Sequence, residues 1–205
     1  ILLYPYYNTG QISGFLGGLK GAAELEALLE RPDAAVRAAL EAQQSVWIAT
    51  ANLKELMVED ANLAPGRRRS RRGSYRSVLQ AFAELAGRGV ELRVLHASMP
   101  SRPFRKSFDA QPELVAGGIE LRMCPRVHLK TVVVDARVLY LGSANWTGAG
   151  LGAKGEGRRN FEMGILTSDE QIIDALQERY DRIWRGAECA DCRLRDECEM
   201  PLDEM

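Results

Sequence analysis

The pattern of apolar and polar positions is most distinctive in residues 127–147, where a mixed stretch turns into an uninterrupted apolar run. The three valines at residues 132–134 are β-branched, which is typical of a strand buried on both faces of a sheet. A short break that begins at Asp135 ends this run, and residues 138–141 resume it. The stretch therefore predicts two strands joined by a tight turn.

The rest of the chain alternates between strand and helix spacing. Further strands are predicted at residues 45–51, 90–96, 119–123 and 161–166. Helices are predicted at residues 22–30, 34–44, 75–85, 107–116 and 169–184. Ser168 and Gln171 are expected to form a capping box at the start of the last helix. Residues 52–72 and 147–159 lack such a pattern and are expected to be surface loops, so the order of elements predicts an α/β sandwich around a mixed sheet.

Composition is that of an ordinary globular protein. The chain has 205 residues, enough for one sizeable domain, with 46% hydrophobic and 27% charged residues. No apolar run approaches the ~18 residues that a membrane span needs. The apolar N-terminus lacks a basic region and is interrupted by Pro5, Asn8 and several glycines, so no secretory signal is expected. These features predict a cytoplasmic protein without an integral membrane segment.

Charge is unevenly distributed although the net charge is only −1. Six arginines lie close together, and the chain without them carries −7. They are Arg67, Arg68, Arg69, Arg71, Arg72 and Arg76. Such a basic block attracts polyanions, and we expect it to bind a nucleic-acid backbone. A solvated loop and contact with an anionic phospholipid surface are the alternatives.

Candidate chemistry lies at the two ends of the predicted strand pair. His128 and Lys130 share one face of an extended chain, roughly 7 Å apart. An imidazole beside an ammonium group suits the chemistry of phosphate esters. Gly142, Ser143 and Asn145 follow the second strand. There the glycine allows backbone to approach a ligand, and the hydroxyl and amide groups can donate hydrogen bonds to it.

These residues follow the pattern HxKx4Dx6GSxN, whose six specified positions are all present within 18 residues. They are His128, Lys130, Asp135, Gly142, Ser143 and Asn145. The pattern resembles the HKD signature of the phospholipase D superfamily, and because it occurs once, the chain is similar to bacterial single-motif nucleases of that superfamily. The resemblance implies a phospholipase D-like α-β-α sandwich around a mixed β-sheet, with one repeat per chain. We assign residues 1–186 to this catalytic domain and residues 187–205 to an acidic, cysteine-containing tail.

The resemblance also implies roles for individual side chains. His128 is expected to attack a phosphodiester and form a phosphohistidine, which water then hydrolyses. Lys130 and Asn145 are expected to bind the phosphate oxygens and to stabilise charge in the transition state. Ser143 is expected to form hydrogen bonds within the same pocket.

Two carboxylates are further candidates. Glu162 corresponds to the acid that orients the catalytic histidine in related single-motif nucleases, with a plain edge-strand glutamate as the alternative. Asp135 lies at the turn between the two strands, where aspartate also has a structural role. We expect Asp135 to support the site through hydrogen bonds and to take no part in bond making.

The implied mechanism needs a second histidine as the general acid that protonates the leaving oxygen. The chain has two histidines, and His96 belongs to no second motif. Single-motif members of the superfamily form homodimers for this reason. We therefore predict a two-fold symmetric dimer whose single cleft contains His128 from both chains. This chemistry requires no metal ion.

The cysteines form a second cluster of candidate ligands. Cys189, Cys192 and Cys198 have a spacing that suits a metal ion or an iron–sulfur cluster. A closed site needs a fourth ligand, and Cys124 can supply it if the tail folds back, while His96 or a tail carboxylate could substitute. Zinc is our first expectation and an iron–sulfur cluster the second. Free thiols and a disulfide are the alternatives.

The sequence predicts a metal-independent phosphodiesterase, and our preferred interpretation is a nuclease that hydrolyses DNA or RNA. A phospholipid hydrolase or transphosphatidylase of the same superfamily is the first alternative, and it would need an apolar groove for acyl chains. A non-catalytic nucleic-acid-binding module is the second. The intact His128, Lys130 and Asn145 disfavour that module, because binding alone does not need the nucleophile.

Overall fold

The structure, a computed structural model, describes residues 34–59, 75–151 and 156–205. The predicted helix at residues 22–30 lies outside these ranges, and so do five of the six clustered arginines. Those five are Arg67, Arg68, Arg69, Arg71 and Arg72.

The described residues form a mixed sheet of six strands and a small sheet of two. The strands are β1 (Ser45–Thr50), β2 (Met57–Glu59), β3 (Tyr75–Ser77), β4 (Glu91–His96), β5 (Glu120–Met123), β6 (Thr131–Val134), β7 (Val138–Gly142) and β8 (Gly164–Thr167). The larger sheet has the order β5-β4-β1-β6-β7-β8, and β2 pairs with β3. Strands β5, β4 and β1 are parallel, whereas β6 is antiparallel to β1 and β7, and β8 to β7. The predicted mixed sheet is confirmed.

Helices pack on both faces of the larger sheet. They are α1 (Ala34–Leu40), α2 (Val78–Gly87), α3 (Arg102–Asp109) and α4 (Glu170–Trp184). Shorter helical segments are Leu114–Gly118, Glu156–Arg158, Arg195–Glu197 and Leu202–Glu204. Among the described residues, no helix is both long enough and apolar enough to cross a bilayer.

Alternate residues of β6 pack into the two layers. Val132 and Val134 lie in the core with α1 and α2, whereas Val133 packs against Ile173 of α4. The three valines are 3%, 1% and 5% exposed in chain order. The prediction of a strand buried on both faces, and with it the α-β-α sandwich, is confirmed.

The long helix α4 is held to the sheet by aromatic contacts. The Tyr180 ring stacks on Trp47 at a centroid distance of 5.2 Å and on Trp184 at 5.7 Å. Its hydroxyl donates to the Ile48 carbonyl oxygen at 3.3 Å, and burial raises the pKa of Tyr180 well above its ordinary value. The Arg93 guanidinium lies 4.8 Å from the centroid of the Trp47 ring. These contacts attach α4 to the centre of the sheet.

Helix α2 begins later than predicted, because residues 75–77 pair with β2 instead of joining the helix. The Ser77 hydroxyl accepts from the Leu79 N–H at 3.1 Å, so Ser77 is the N-cap and the helix starts at Val78. The predicted loop at residues 52–72 accordingly contains a short strand, β2. Helix α1 ends at Leu40, before the predicted boundary.

The observed N-cap residues of α3 and α4 also differ from the predicted starts of these helices. The Ser101 hydroxyl accepts from the Phe104 N–H at 3.4 Å, so α3 begins before the predicted position. At α4 the Asp169 carboxylate accepts from the Ile172 N–H at 3.1 Å. Asp169 is therefore the N-cap, and the capping box predicted at Ser168 is wrong.

The turn between β6 and β7 anchors this strand pair to β1. Asp135 and Ala136 both have φ 52°, the left-handed conformation of the two central residues of the turn closed by the Arg137 N–H on the Val134 carbonyl oxygen. The Asp135 carboxylate accepts from the N–H groups of residues 43–45 at 2.7 to 3.2 Å. Partial burial favours the protonated acid, but these donors and Arg137 outweigh it, so the pKa of Asp135 lies below its ordinary value.

We predict that Asp135→Ala lowers the free energy of unfolding by about 1–2 kcal/mol, because the N–H groups of residues 43–45 lose their acceptor. The folded-state pKa is depressed, so this stabilisation is complete above the ordinary carboxyl pKa and is lost as pH falls through the lowered value. Denaturant unfolding of wild type and variant across that pH range measures the difference. Asp174→Ala, at an exposed position of α4, is the control. A difference that does not vary with pH would contradict the interpretation.

Candidate active site

Four of the predicted side chains lie at one end of the β6–β7 hairpin. His128 and Lys130 immediately precede β6, and Ser143 and Asn145 immediately follow β7. Because the two strands are antiparallel, these segments meet at the same end of the sheet. The Gly142 N–H donates to the Lys130 carbonyl oxygen at 3.1 Å and extends the pairing to this point. The structure thus brings the core of the motif together.

His128 and Lys130 lie before β6, which starts at Thr131, and not inside the strand as predicted. His128 is exposed and Lys130 is half-buried. Lys130 Nζ donates to the His128 carbonyl oxygen at 2.8 Å, which holds the ammonium beside the backbone of the candidate nucleophile. Burial lowers the pKa of the Lys130 ammonium, and the negative charge of Glu162 opposes that shift in part.

Glu162 is joined to the motif through Ser143. The Ser143 hydroxyl donates to Glu162 Oε2 at 2.5 Å and accepts from the Met163 N–H at 3.0 Å. Asn160 Nδ2 donates to Glu162 Oε1 at 3.0 Å, so both carboxylate oxygens are held. Glu162 was predicted to lie inside a strand at residues 161–166. The observed strand β8 starts at Gly164, so Glu162 lies just before it. Glu162 thus contacts Ser143 of the motif, and its expected role in orienting His128 stays a prediction.

Asn145 is oriented by the end of β1, a contribution that the sequence interpretation missed. Its side-chain oxygen accepts from the Asn52 N–H at 3.1 Å and lies 3.3 Å from the Thr50 hydroxyl, whose single proton also has the Asn52 carbonyl oxygen as an acceptor at 2.9 Å. With the oxygen engaged, the amide presents its NH₂ group as the donor. Thr50 is only 1% exposed and also accepts from the Trp146 N–H at 2.9 Å. In the sequence, the indication of this contact was Thr50, a polar residue at the end of an apolar strand.

Asp135 is not at this end of the hairpin. It occupies the opposite turn, where its carboxylate binds the backbone N–H groups of residues 43–45. The expected hydrogen bonds therefore exist, but they join the hairpin to β1 and do not reach the other motif side chains. The contribution of Asp135 to the site is positional.

His96, the second histidine, is a buried residue at the end of β4. It is 5% exposed, and its Nδ1 lies 3.0 Å from the Ser98 carbonyl oxygen. Burial lowers the pKa of His96, and the interaction with the Ser98 carbonyl only partly offsets that effect. This environment favours the neutral ring and a structural role.

Arg76 is the one member of the arginine block within the described residues. Its guanidinium forms an ion pair with Glu84 of α2. Arg76 is half-buried, and this pair links β3 to α2. The structure thus gives Arg76 an intramolecular partner, and its expected role in substrate binding stays a prediction.

All four cysteines of the chain line one pocket. Cys124 follows β5, and Cys189, Cys192 and Cys198 belong to the C-terminal segment, residues 187–205, which folds back as the fourth-ligand hypothesis required. In the ranges that the structure describes, however, no three His, Cys, Asp or Glu side chains converge tightly enough to hold a metal ion. The expected single zinc ion therefore has no support in the geometry of the thiols.

The family model described as "Cardiolipin synthase, PLD-like domain" matches residues 36–184, which contain the whole motif. The mitochondrial cardiolipin hydrolase of Chlamydomonas reinhardtii is 27% identical over 104 residues, which are 49% of this chain and 43% of that protein. Its counterpart in Xenopus tropicalis is 29% identical over 113 residues, 53% of this chain and 49% of that protein. The chain thus spans less than half the length of these curated relatives.

Among solved structures, the chain is similar to Nuc from Salmonella typhimurium, a phospholipase D family member. The TM-score is 0.51 at 17% sequence identity, over 74% of this chain and 85% of that chain. This likeness shows the shared fold. The family match covers well over half of the sequence and includes every position of the motif. The chain belongs to the phospholipase D-like family.

Proposed function

We propose that the protein is a phosphodiesterase that hydrolyses nucleic acid through a phosphohistidine intermediate. The observation that carries this proposal is the set of groups at one end of the β6–β7 hairpin. An exposed imidazole, His128, lies there with the Lys130 ammonium and the oriented amide of Asn145. Together they provide a nucleophile and two donors for phosphate oxygens.

The reaction proceeds by two displacements at phosphorus. A ring nitrogen of His128 forms a bond to phosphorus as the bond to the leaving oxygen breaks, and a proton from a general acid neutralises that oxygen. Water then attacks phosphorus, the phosphorus–nitrogen bond breaks, and a phosphomonoester and free imidazole result. Lys130 and Asn145 stabilise the negative charge of the non-bridging oxygens in both steps. Because side chains supply the nucleophile and the stabilising charge, the mechanism needs no catalytic metal.

Ser143 and Glu162 act as positioning residues in this proposal. Their hydrogen bond joins the segment after β7 to the segment before β8. The negative charge of Glu162 raises the pKa of Lys130 and so opposes the effect of burial. Glu162 therefore helps to keep Lys130 protonated when it binds a phosphate.

The general acid comes from a second copy of the chain in this proposal. His96 is buried beside Ser98, so one chain offers one exposed histidine. Phe161 and Met163, on either side of Glu162, are 107% and 67% exposed. Apolar side chains next to an incomplete site suit contact with a second copy. We propose a two-fold dimer with His128 of both chains in one cleft.

The arginine-rich segment supports nucleic acid as the substrate. In the sequence it connects β2 to β3. The chain that precedes β2 forms hydrogen bonds with residues of the site. The Lys54 N–H donates to the Trp146 carbonyl oxygen at 3.0 Å, and the Asn52 N–H donates to Asn145 at 3.1 Å. A block of arginines in the sequence between β2 and β3 suits a polyanionic backbone.

Hydrolysis of a phospholipid headgroup is the second candidate. It is favoured by the curated relatives, whose names are mitochondrial cardiolipin hydrolases. The same imidazole and ammonium chemistry would act on a phosphodiester of either kind. Arginines also bind anionic lipid surfaces, so substrate choice has to be measured.

A substrate panel with His128→Ala tests the proposed chemistry. We expect wild type to cleave labelled DNA or RNA, and the variant to lose at least ~10³-fold in rate, because the nucleophile is gone. Cleavage assays on single- and double-stranded nucleic acid and on cardiolipin vesicles measure the substrate of wild type and the rate of the variant. The exposed Lys106→Ala is the control. Cleavage of cardiolipin alone would favour the lipid candidate. Unchanged cleavage by His128→Ala would refute the mechanism.

Mixing experiments test the shared cleft. If each cleft needs His128 from two chains, replacing wild type by His128→Ala at constant total protein should lower activity with the square of the wild-type fraction. Independent sites would give a linear decrease. Activity is measured after subunit exchange, and mixing with Lys106→Ala should leave it unchanged. Sedimentation that shows only monomers would exclude the dimer.

Glu162→Gln tests the positioning role. We expect the rate to fall by roughly 10²-fold, the cost of a displaced catalytic group. Since Glu162 raises the pKa of Lys130, its neutralisation should move the alkaline limb of the pH–rate profile to lower pH. The pH dependence of kcat/KM measures this shift, with the exposed Glu170→Gln as the matched carboxylate control. If the alkaline limb does not move, the protonation of Lys130 does not control the rate, and this role of Glu162 is refuted.

A further inference from the structure

The C-terminal segment, residues 187–205, is folded back on itself. Gly186 turns the chain after α4 with φ 73°, a conformation that favours glycine. A Cβ atom at Gly186 would collide with the backbone of Asp203, so the end of the segment lies directly against its beginning. Arg195 forms an ion pair with the Asp203 carboxylate and closes the same loop. The segment therefore has a defined shape and can support what packs against it.

Leu202 connects this segment to the core. It is 3% exposed and lies in one cluster with Tyr180 and Trp184 of α4. Cys124 and Cys189 are partly buried and pack against the same cluster. Both are free thiols, and a free cysteine in such a place acts as a small apolar side chain. The cluster thus joins the C-terminal segment to the chain that follows β5.

Both sequence neighbours of His128 also pack in this cluster. Val127 is 4% exposed and belongs to the cluster, and Leu129 is partly buried and packs against it. His128, between them, is exposed. Because close-packed side chains have little freedom to move, two anchored neighbours fix the backbone of the residue between them. The cluster therefore determines the point at which the imidazole projects from the surface.

The chain entering this point is held by the sheet and by the C-terminal segment. The Cys124 N–H donates to the His96 carbonyl oxygen at 2.9 Å and continues the pairing of β5 with β4. The Val127 N–H donates to the Cys124 carbonyl oxygen at 2.9 Å and closes a turn. Arg126 lies within this turn, and its guanidinium donates to the Cys192 sulfur. The C-terminal segment thus contacts the turn as well as the cluster.

We propose that the C-terminal segment positions the candidate nucleophile, with Leu202 as the positioning residue. Leu202 fills the cluster against which both neighbours of His128 pack, and it thereby holds the imidazole in its place beside Lys130. A displacement of a reacting group by about 1 Å costs roughly 10²-fold in rate. The proposal rests on the function proposed above, since it takes His128 as the nucleophile. It gives a role in the reaction to residues beyond the family match at residues 36–184.

Substitutions at Leu202 in the full chain test the proposal. Leu202→Ala leaves space in the cluster, so we expect kcat on the substrate that wild type cleaves to fall by roughly 10²-fold with KM unchanged. Leu202→Val should have a smaller effect of the same kind, and Leu202→Met, which refills the space, should restore most of the rate. Leu114→Ala is the matched control, because Leu114 is 1% exposed in the other large cluster. It should keep kcat near that of wild type at temperatures where each variant is folded.

The NMR signals of the histidine rings separate this proposal from the proposed reaction, because they need no substrate. The chain has two histidines. In Leu202→Ala we expect the His128 ring signal to shift or broaden as the ring loses its fixed place. The His96 signal should stay, since Nδ1 of that ring contacts the Ser98 carbonyl oxygen. If wild type cleaves no substrate, the proposed reaction fails, and the ring signal still tests the positioning.

Three results would overturn the proposal. They are an unchanged His128 ring signal in folded Leu202→Ala, a kcat equal to that of an active wild type, and a loss of kcat that Leu114→Ala shares. Circular dichroism checks that each variant is folded. If Leu202→Ala does not fold, the same two readouts on the milder Leu202→Val decide the question.

Discussion

The antiparallel pairing of β6 with both β1 and β7 is the constraint on which the site depends. Residues 132–134 are buried on both faces of the sheet. A slip of the register by one residue would therefore turn each of these side chains into the core on the opposite face. This pairing fixes which residues come just before β6 and just after β7. Lys130 and Gly142 are thereby held opposite each other, and His128 and Ser143 follow at the same edge. A packing requirement of the core thus determines the geometry of the polar groups.

Strand β1 holds the hairpin at both ends. At its start, the backbone N–H groups of residues 43–45 bind the Asp135 carboxylate, and at its end Thr50 orients Asn145. The electrostatics of the site follow from the same placement. Lys130 is half-buried, which favours its neutral form, while Glu162 supplies an opposing negative charge. The balance between burial and this carboxylate sets the pKa of the Lys130 ammonium.

The C-terminal segment extends this arrangement beyond the sheet. It follows α4, whose Tyr180 and Trp184 pack on the sheet and share a cluster with Leu202. The same cluster includes Val127, which immediately precedes the candidate nucleophile. The order of the C-terminal segment and the position of His128 are therefore physically connected. The motif lies inside the family match at residues 36–184, whereas the C-terminal segment lies outside it.

The sequence by itself determined the sandwich, the buried strand at residues 132–134 and the motif side chains, because strand burial and short-range spacing are local properties. It misplaced helix starts such as that of α3, where Ser101 is the N-cap, and it placed Glu162 inside a strand. Only tertiary structure revealed the support of Asn145 by Thr50 and the meeting of Cys124 with the C-terminal segment. Those contacts join residues far apart in the chain, and they form only because the sheet and α4 bring the segments together, which no local pattern encodes.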